Sequence, residues 1–256
     1  MNTTYSTLFI GKIIHHFNTL PSTNTYAIEY LAKNNPSEGT VISTFNQTQG
    51  KGQFDSKWES EEGQNLTQTI ILYPKFILPR QQFLLSKMVA LATRDFIASL
   101  LPDTVETHIK WPNDILVEGK KIAGILIQNS LSGAKISHSI VGIGININQT
   151  DFQFIGGRKP TSLAVENGEY YHLPTLQQQL FWHLEYRYLQ LKNHQWMPLH
   201  QDYLTNLYQY RKMQTFEKPD GTRFRGFIEG VTEEGYLIVN WDGHRNEFAL
   251  KEVKFV

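Results

Sequence analysis

The segments of this sequence that could do chemistry are built from glycine, lysine and short polar side chains. Residues 46–58 read NQTQGKGQFDSKW, and two glycines of this stretch flank Lys51. A cation in a glycine-rich loop is suited to holding an anion, while glycine is also the residue that an ordinary turn uses where the backbone needs a positive φ. Residues 46–58 alone therefore leave both interpretations open.

Four further segments place polar residues beside candidate helices and strands. They are PSTN (21–24), KWPND (110–114), KKIAGIL (120–126) and GIGININ (142–148). Each has a purely structural interpretation: in order, a helix cap, a strand that ends at a turn, a strand with an exposed lysine pair, and a strand whose glycines allow close packing. Motifs this short match by accident, so a functional interpretation depends on finding them together.

The composition excludes several classes of function. Lysine plus arginine and aspartate plus glutamate both number 24, so the chain has no general basic field for nucleic acid. There is no cysteine, which excludes a cysteine nucleophile, a thiolate metal site and an iron–sulfur cluster and fits a reducing compartment. The histidines show no ligand spacing for a structural metal, and no secretory signal or apolar run of membrane length is present. We expect a soluble, cytoplasmic protein.

The five segments must be positioned by a fold that contains both helices and strands. Apolar periodicity predicts a helix after PSTN, capped by Ser22 or Thr23, a second helix over 80–101, and two more between 174 and about 212. β-Branched and aromatic runs predict strands at 40–45, 65–73, 108–111, 121–130 and 138–148. The pattern indicates a sheet backed by helices, with the glycine loop joining two strands.

The pattern changes near Met213. From there to the C-terminus, short β-rich runs alternate with the turn signals Asp220-Gly221, Glu234-Gly235 and Asp242-Gly243. This alternation predicts a small antiparallel barrel. We therefore divide the chain into residues 1–212 and residues 213–256, with the boundary between 211 and 214.

In this order and spacing, the five segments resemble the successive motifs of the biotin protein ligases, the enzymes that attach biotin to biotin-dependent carboxylases. The most specific part is KWPNDI followed by KIAGIL, and the resemblance runs from about residue 13 to the C-terminus. It implies an α+β fold, a mixed β-sheet backed by helices, with a C-terminal SH3-like β domain. It also implies ATP-dependent biotinylation of a lysine on a biotin carboxyl carrier domain, through biotinyl-5′-AMP and with Mg²⁺.

The resemblance assigns roles residue by residue. Lys121 matches the lysine beside the biotin carboxylate and the α-phosphate, and Asp114 is the second catalytic candidate. Asn113 and Asp114 either hold Mg²⁺ or orient the acceptor lysine. The matched biotin-binding residues are Ser22, Thr23, Asn24, Gln47, Gly50, Lys51, Gly52, Gln53, Lys121, Gly124, Gly142 and Gly144. The matched ATP-binding residues are Lys57, Trp58, Lys110, Asn113 and Asn146.

The glycine loop departs from the family pattern. Lys51 and Gln53 stand where the family has arginines, and Asp55 replaces a glycine. Lysine cannot make the bidentate fork that arginine makes to a phosphate, and glutamine carries no charge. Either the adenylate is held less tightly here, or Lys57 and other groups compensate.

Some family members carry an N-terminal DNA-binding domain and act as repressors. Here the first motif already begins at Ser22, so we expect a ligase without repressor function and without DNA binding. The resemblance also implies a homodimer. Two alternatives stay open: a lipoate–protein ligase or octanoyltransferase, which shares the catalytic fold, and a non-catalytic binding module that keeps the ligand without turnover.

Overall fold

The computed structural model describes residues 5–53, 56–153 and 158–256. Asp55 lies outside the described residues. Seven strands form one sheet: β1 (Ile14–Leu20), β2 (Val41–Gln47), β3 (Asn65–Leu72), β4 (Thr107–Lys110), β5 (Asp114–Val117), β6 (Lys120–Ser132) and β7 (Lys135–Asn146). Their order across the sheet is β1-β2-β3-β7-β6-β5-β4.

The sheet is mixed and has a helix layer on each face. β1 pairs in parallel with β2, and the other neighbours pair antiparallel. The helices are α1 (Thr23–Lys33), α2 (Phe83–Ala98), α3 (Leu163–Asn167), α4 (Leu173–Lys192) and α5 (Trp196–Thr205). One face carries the main core beneath α2 and α4, and the other carries a small core that includes Ala27 of α1. All of β3 is buried because both of its faces are covered.

The C-terminal region forms a second, antiparallel sheet. Its strands are β8 (Met213–Glu217), β9 (Arg223–Val231), β10 (Leu237–Trp241), β11 (His244–Phe248) and β12 (Lys254–Phe255), in the order β11-β10-β9-β8-β12. Gly221, Gly235 and Gly243 all have positive φ, as the turn signals predict. The predicted fold class, an α+β fold with a mixed sheet backed by helices and a small C-terminal β domain, is confirmed. The division at 212/213 stays a prediction.

Several element bounds differ from the sequence prediction. The helix expected over 80–101 begins at Phe83, because Pro79–Gln81 form a separate 3₁₀ turn before it. β5 was not predicted, since four residues directly after a turn carry too little periodicity. β1 was also missed, because its half-exposed residues do not alternate cleanly. Among the described residues, no helix is both long and apolar enough to cross a membrane.

The core contains one unusual cation, Lys87 of α2. It is 3% exposed, and its Nζ lies 2.9 Å from His200 Nδ1 of α5. Burial lowers the pKa of Lys87 from 10.5 to about 8, and the negative charge of Glu233 partly opposes that shift. The protein therefore keeps a costly buried charge at neutral pH.

The lowered pKa of Lys87 predicts a pH-dependent stability. Between pH 8 and pH 10.5 the unfolded chain binds a proton that the folded protein has released, so the free energy of unfolding rises with pH in this window. Relative to Lys87→Met, wild type should gain about 3 kcal/mol from pH 7.5 to pH 10.5. Urea unfolding of both proteins across this range checks it. Parallel pH profiles would contradict the assigned shift.

Candidate active site

A cavity of about 840 Å³ opens between the seven-stranded sheet and the C-terminal strand segment. Nearly all the predicted site residues line it: Ser22, Thr23, Asn24, Gln47, Lys51, Gly52, Gln53, Lys57, Trp58, Lys110, Asn113, Asp114, Lys121, Gly124, Gly142 and Gly144. Gly50 and Asn146 are not on its wall. Gly50 is buried within the loop against the Trp58 backbone. Asn146 is buried and donates to the Thr161 carbonyl at 2.9 Å.

The first motif turns into α1 at one end of the cavity. Ser22 is the N-cap, and its hydroxyl accepts from the Thr25 amide at 3.5 Å. The Thr23 amide donates to Gln47 Oε1 of β2 at 2.8 Å, and the Thr23 hydroxyl donates to the same oxygen at 3.2 Å. Because Gln47 Oε1 faces these donors, its amide is fixed at the start of the glycine loop. This end of the cavity carries neutral hydrogen-bonding groups.

The side chain of Asn24 is held by hydrogen bonds to two strands, β3 and β6. Its Oδ1 lies 2.6 Å from the Thr69 hydroxyl of β3, and its Nδ2 donates to Gln128 Oε1 of β6 at 3.1 Å. Gly142 of β7 lies directly beneath it, and a Cβ at Gly142 would lie 2.2 Å from Asn24 Oδ1. Glycine at position 142 therefore leaves the space that the Asn24 side chain fills.

The glycine loop folds back as a small hairpin. The Gly52 amide donates to the Ser56 carbonyl at 2.7 Å, and the Trp58 amide donates to the Gly50 carbonyl at 3.0 Å. A Cβ at Gly50 would lie 2.3 Å from the Trp58 carbonyl oxygen, which explains the glycine. Lys51 lies on the cavity side of this hairpin. The segment is thus a turn and also part of the cavity wall.

Trp58 lies across the floor of the cavity. A Cβ at Gly144 would lie 2.4 Å from Trp58 Cε2, and one at Gly124 would lie 3.1 Å from Trp58 Cζ3. The two glycines therefore make room for the indole ring. Its Nε1 is buried without a hydrogen-bond partner.

Lys110, Asp114 and Lys121 form a charged cluster at the other end of the cavity. Asp114 Oδ1 lies 2.6 Å from Lys121 Nζ, and Asp114 Oδ2 lies 3.5 Å from Lys110 Nζ. Burial lowers the pKa of Lys110, while the charge of Asp114 acts in the opposite direction. Strand pairing sets this geometry, because Asp114 lies opposite Lys110 across the β4–β5 turn and opposite Gly124 on β6.

The charge of the cavity wall is strongly positive. Asp114 is the one acidic side chain among the described residues that line it. The lysine and arginine side chains on the wall are Lys51, Lys57, Lys110, Lys121, Arg158, Lys251 and Lys254. A wall of this composition suits a polyanionic ligand such as a nucleoside triphosphate.

The residues present fit Mg²⁺ as an ion carried mainly by the substrate. Within residues 5–53, 56–153 and 158–256 there is no group of three histidine, aspartate or glutamate side chains able to hold a metal. Asp114 is the carboxylate that could contribute one oxygen. Mg²⁺ is commonly bound by one or two carboxylates together with substrate phosphates and waters, and this arrangement provides the protein's part of such a site.

Segments far along the chain also contribute to the cavity wall, and the sequence patterns do not predict them. Arg158 lines the cavity, and its guanidinium carbon lies 4.5 Å from the centre of the Tyr208 ring. Phe255 of β12 also lines the cavity, with Lys110 Nζ 5.8 Å from its ring centre. No local motif marks these residues, so only tertiary structure brings them to the site.

Residues 16–146 match the model of the Biotin/lipoate A/B protein ligase family. The bifunctional ligase/repressor BirA of Bacillus spizizenii is 32% identical over 235 residues, a span of 90% of this chain and 70% of that protein. This chain belongs to the biotin/lipoate A/B protein ligase family. A biotin–acetyl-CoA-carboxylase ligase from Paracoccus denitrificans is 29% identical over 80% of this chain and 86% of its own length.

A solved member of the family has the same fold. The biotin protein ligase of Aquifex aeolicus, in complex with biotin and ATP, superposes with a TM-score of 0.77 at 22% identity, over 96% of this chain and 99% of that one. The resemblance that the five motifs indicate, to the biotin protein ligases, is thus confirmed. The roles assigned to individual residues stay predictions.

Proposed function

We propose that this protein is an ATP-dependent biotin–protein ligase that forms biotinyl-5′-AMP and transfers the biotinyl group to a lysine of a carboxyl carrier domain. The observation that carries the proposal is the polarity of the cavity: neutral donors and acceptors at one end, around Thr23, Asn24 and Gln47, and lysines at the other. Biotin has the same polarity, with a neutral ureido ring at one end and a carboxylate at the other.

The first step joins two anions, and the lysines address that obstacle. A carboxylate oxygen of biotin attacks the α-phosphorus of ATP, a new oxygen–phosphorus bond forms, and the bond to the leaving pyrophosphate breaks. Lys121 lies at the end of the cavity where the carboxylate would meet the phosphate, with Lys110 beside it. Fixed cations reduce the repulsion between the two anions and stabilise the charge of the transition state. Mg²⁺ bound with ATP would neutralise further phosphate charge.

In the second step, the acceptor lysine must lose a proton before its amine attacks the adenylate. Asp114 is half of a close ion pair with Lys121, and its side chain is 15% exposed. We assign Asp114 to orienting the incoming amine or taking its proton. The products are the biotinyl amide and AMP, so no covalent enzyme intermediate is required.

Lipoate is the competing substrate, because the family includes lipoate ligases. Its dithiolane ring has no N–H donor or carbonyl acceptor, so it could not hydrogen-bond to the polar end of the cavity around Thr23, Asn24 and Gln47. Calorimetric titration of biotin and of lipoate, each with and without ATP and Mg²⁺, tests the assignment. We expect tight biotin binding that strengthens with nucleotide. Binding of lipoate instead would favour the lipoate alternative, and binding of neither would exclude both.

Two finer parts of the proposal concern partners. We propose that the chain does not act as a repressor, since its cations and anions balance at 24 each, and a DNA mobility-shift assay tests this.

A homodimer would pair copies along an edge of the seven-stranded sheet, where β1 and β4 lie. Sedimentation analysis tests the dimer.

Because the glycine loop has Gln53 where the family has an arginine, we predict that Gln53→Arg retains the adenylate more tightly than wild type does. An arginine at position 53 would face the cavity and add the bidentate donor that the loop lacks, so release of free biotinyl-5′-AMP should slow by roughly tenfold. Chromatography of adenylate released over time measures the rate. Gln178→Arg, at an exposed position of α4, is the matched control and should leave release unchanged. Equal release from wild type and Gln53→Arg would mean that other groups already retain the adenylate.

A further inference from the structure

The two sheets of the molecule meet at the turn that carries the charged cluster. Trp111 lies in this turn, between Lys110 of β4 and Asp114 of β5, and it is 3% exposed. Its indole Nε1 donates a hydrogen bond to the carbonyl oxygen of Gly235 at 2.9 Å. Gly235 belongs to the turn between β9 and β10 of the C-terminal sheet. The bond therefore links the charged cluster to a segment 124 residues away.

The β9–β10 turn, residues 232–236, has a fixed shape. The Thr232 hydroxyl accepts from the amides of Gly235 at 3.2 Å and Tyr236 at 3.1 Å, and the Thr232 amide donates to the Tyr236 carbonyl at 2.9 Å. Gly235 has φ +106°, a conformation open to glycine and costly for other residues. The direction of the Gly235 carbonyl is therefore set by the turn itself.

The same turn is seated on the start of α2. A Cβ at Gly235 would lie 2.5 Å from Cδ2 and 2.8 Å from Cγ of Phe83, so the glycine backbone lies directly against the ring. Beside it, Gln81 Nε2 donates to Glu233 Oε1 at 2.8 Å. These contacts fix where the Gly235 carbonyl lies relative to the seven-stranded sheet.

The turn between β4 and β5 is held from its other side by β6. Asn113 Nδ2 donates to the Ile125 carbonyl at 2.8 Å, and the Ile125 amide donates to the Asn113 carbonyl at 3.0 Å. Trp111 and Asn113 thus anchor the turn to two different elements, the C-terminal sheet and β6. Lys110 and Asp114 flank these anchors, so a shift of the turn would move both charged side chains.

We propose that Gly235 and Trp111 are positioning residues, through which the C-terminal sheet places Lys110 and Asp114 for adenylate formation. The inference rests on the proposed ligase function and extends it to Gly235, which lies outside the five motifs, and to Trp111 of KWPND, which is also on the cavity wall. Gly235 is not on the cavity wall, so it acts through Trp111 and not by touching substrate. The groups assigned to the biotin ring lie on α1 and β2, away from this contact.

The test compares two glycine variants of the full-length protein. In Gly235→Ala the new Cβ meets the Phe83 ring, and the turn has to shift. We expect kcat for adenylate formation to fall about tenfold to a hundredfold, because displacements on the order of 1 Å have effects of this size. The Kd for biotin should stay within about twofold of wild type, since the ring-binding groups do not move. Gly243→Ala is the control. Gly243 also has a positive φ, +73°, but a Cβ there would have no heavy atom within 4 Å, so kcat should equal that of wild type.

A second test removes the hydrogen bond between Trp111 and Gly235 without adding atoms, and it has its own control variant. Trp111→Phe deletes the donor to Gly235, and we expect a fall in kcat of roughly tenfold with biotin Kd unchanged. Trp196→Phe deletes a similar indole bond, to the Leu191 carbonyl at 3.1 Å. Trp196 is not on the cavity wall, so this control variant should keep full activity. The double variant Gly235→Ala/Phe83→Leu replaces the obstructing ring with a smaller side chain. It should recover part of the kcat that Gly235→Ala loses.

The outcomes separate this inference from the proposed function. Wild-type kcat in folded Trp111→Phe and Gly235→Ala would overturn the positioning role. A loss of kcat matched by equal losses of biotin affinity and of Tm would also overturn it, because that is what a merely structural contact gives. If Gly235→Ala does not fold, Trp111→Phe decides alone. A wild-type protein without biotin-dependent adenylate formation would instead remove the proposed function.

Discussion

Lys121→Ala is expected to lower the rate of adenylate formation by roughly a hundredfold to a thousandfold, the size of effect seen when one preorganised charge-stabilising group is removed. Lys121 Nζ lies 2.6 Å from Asp114 Oδ1 and faces the cavity. Without it, the biotin carboxylate and the α-phosphate would approach each other with one fewer fixed cation between them. Pyrophosphate release under single-turnover conditions measures the rate.

The neighbouring lysine provides the control for Lys121→Ala. Lys120 is not on the cavity wall, and its Nζ pairs with Glu166 at 2.5 Å. Lys120→Ala should therefore keep the rate within about twofold, because Lys120 does not reach the cavity. Equal losses from both substitutions, or wild-type activity of Lys121→Ala, would remove Lys121 from its proposed role.

Gly142→Ala is expected to weaken biotin binding by about a hundredfold, while the fold is retained. The added Cβ would lie 2.2 Å from Asn24 Oδ1, and the side chain of Asn24 cannot move aside without breaking its bonds to Thr69 and Gln128. A binding site built to hydrogen-bond its ligand loses about 3 kcal/mol or more when such a group is displaced. Calorimetry with biotin measures the change.

Another strand glycine provides the control for Gly142→Ala. Gly230 lies in β9, and a Cβ there would meet Ile238 Cδ1 at 3.7 Å, an ordinary contact. Gly230→Ala should leave biotin affinity unchanged. Unaltered biotin binding by Gly142→Ala would mean that Asn24 does not hold the ligand.

The local parts of the site were predictable from the sequence. Capping, proline and β-branched patterns act over a few residues. They predict a helix cap at Ser22 or Thr23, the turn after Lys110 and the strands bearing Lys121 and Gly142. What these patterns could not show is why each glycine is needed. Gly142 and Gly144 are required by side chains from α1 and from the glycine loop, which pack on them from far along the chain.

The part of the cavity wall that Arg158 and Phe255 form could not be predicted either, because it depends on contacts between residues far apart in the chain. Arg158 and Phe255 reach the site through tertiary packing, and the bond from Trp111 to Gly235 joins two sheets. The turn signal at Gly235 predicts a hairpin correctly, but the surface on which that hairpin lies is set by the shape of Phe83. Short-range pattern determines the elements, and long-range fit determines their contacts.

The most direct test of the proposed function is ATP–pyrophosphate exchange by the purified protein, measured with biotin and with lipoate. We predict exchange that requires biotin and Mg²⁺ and stays at background with lipoate, because a ureido ring can hydrogen-bond to the polar end of the cavity around Asn24 and a dithiolane ring cannot. Exchange with lipoate in place of biotin, or exchange with neither, would contradict the account.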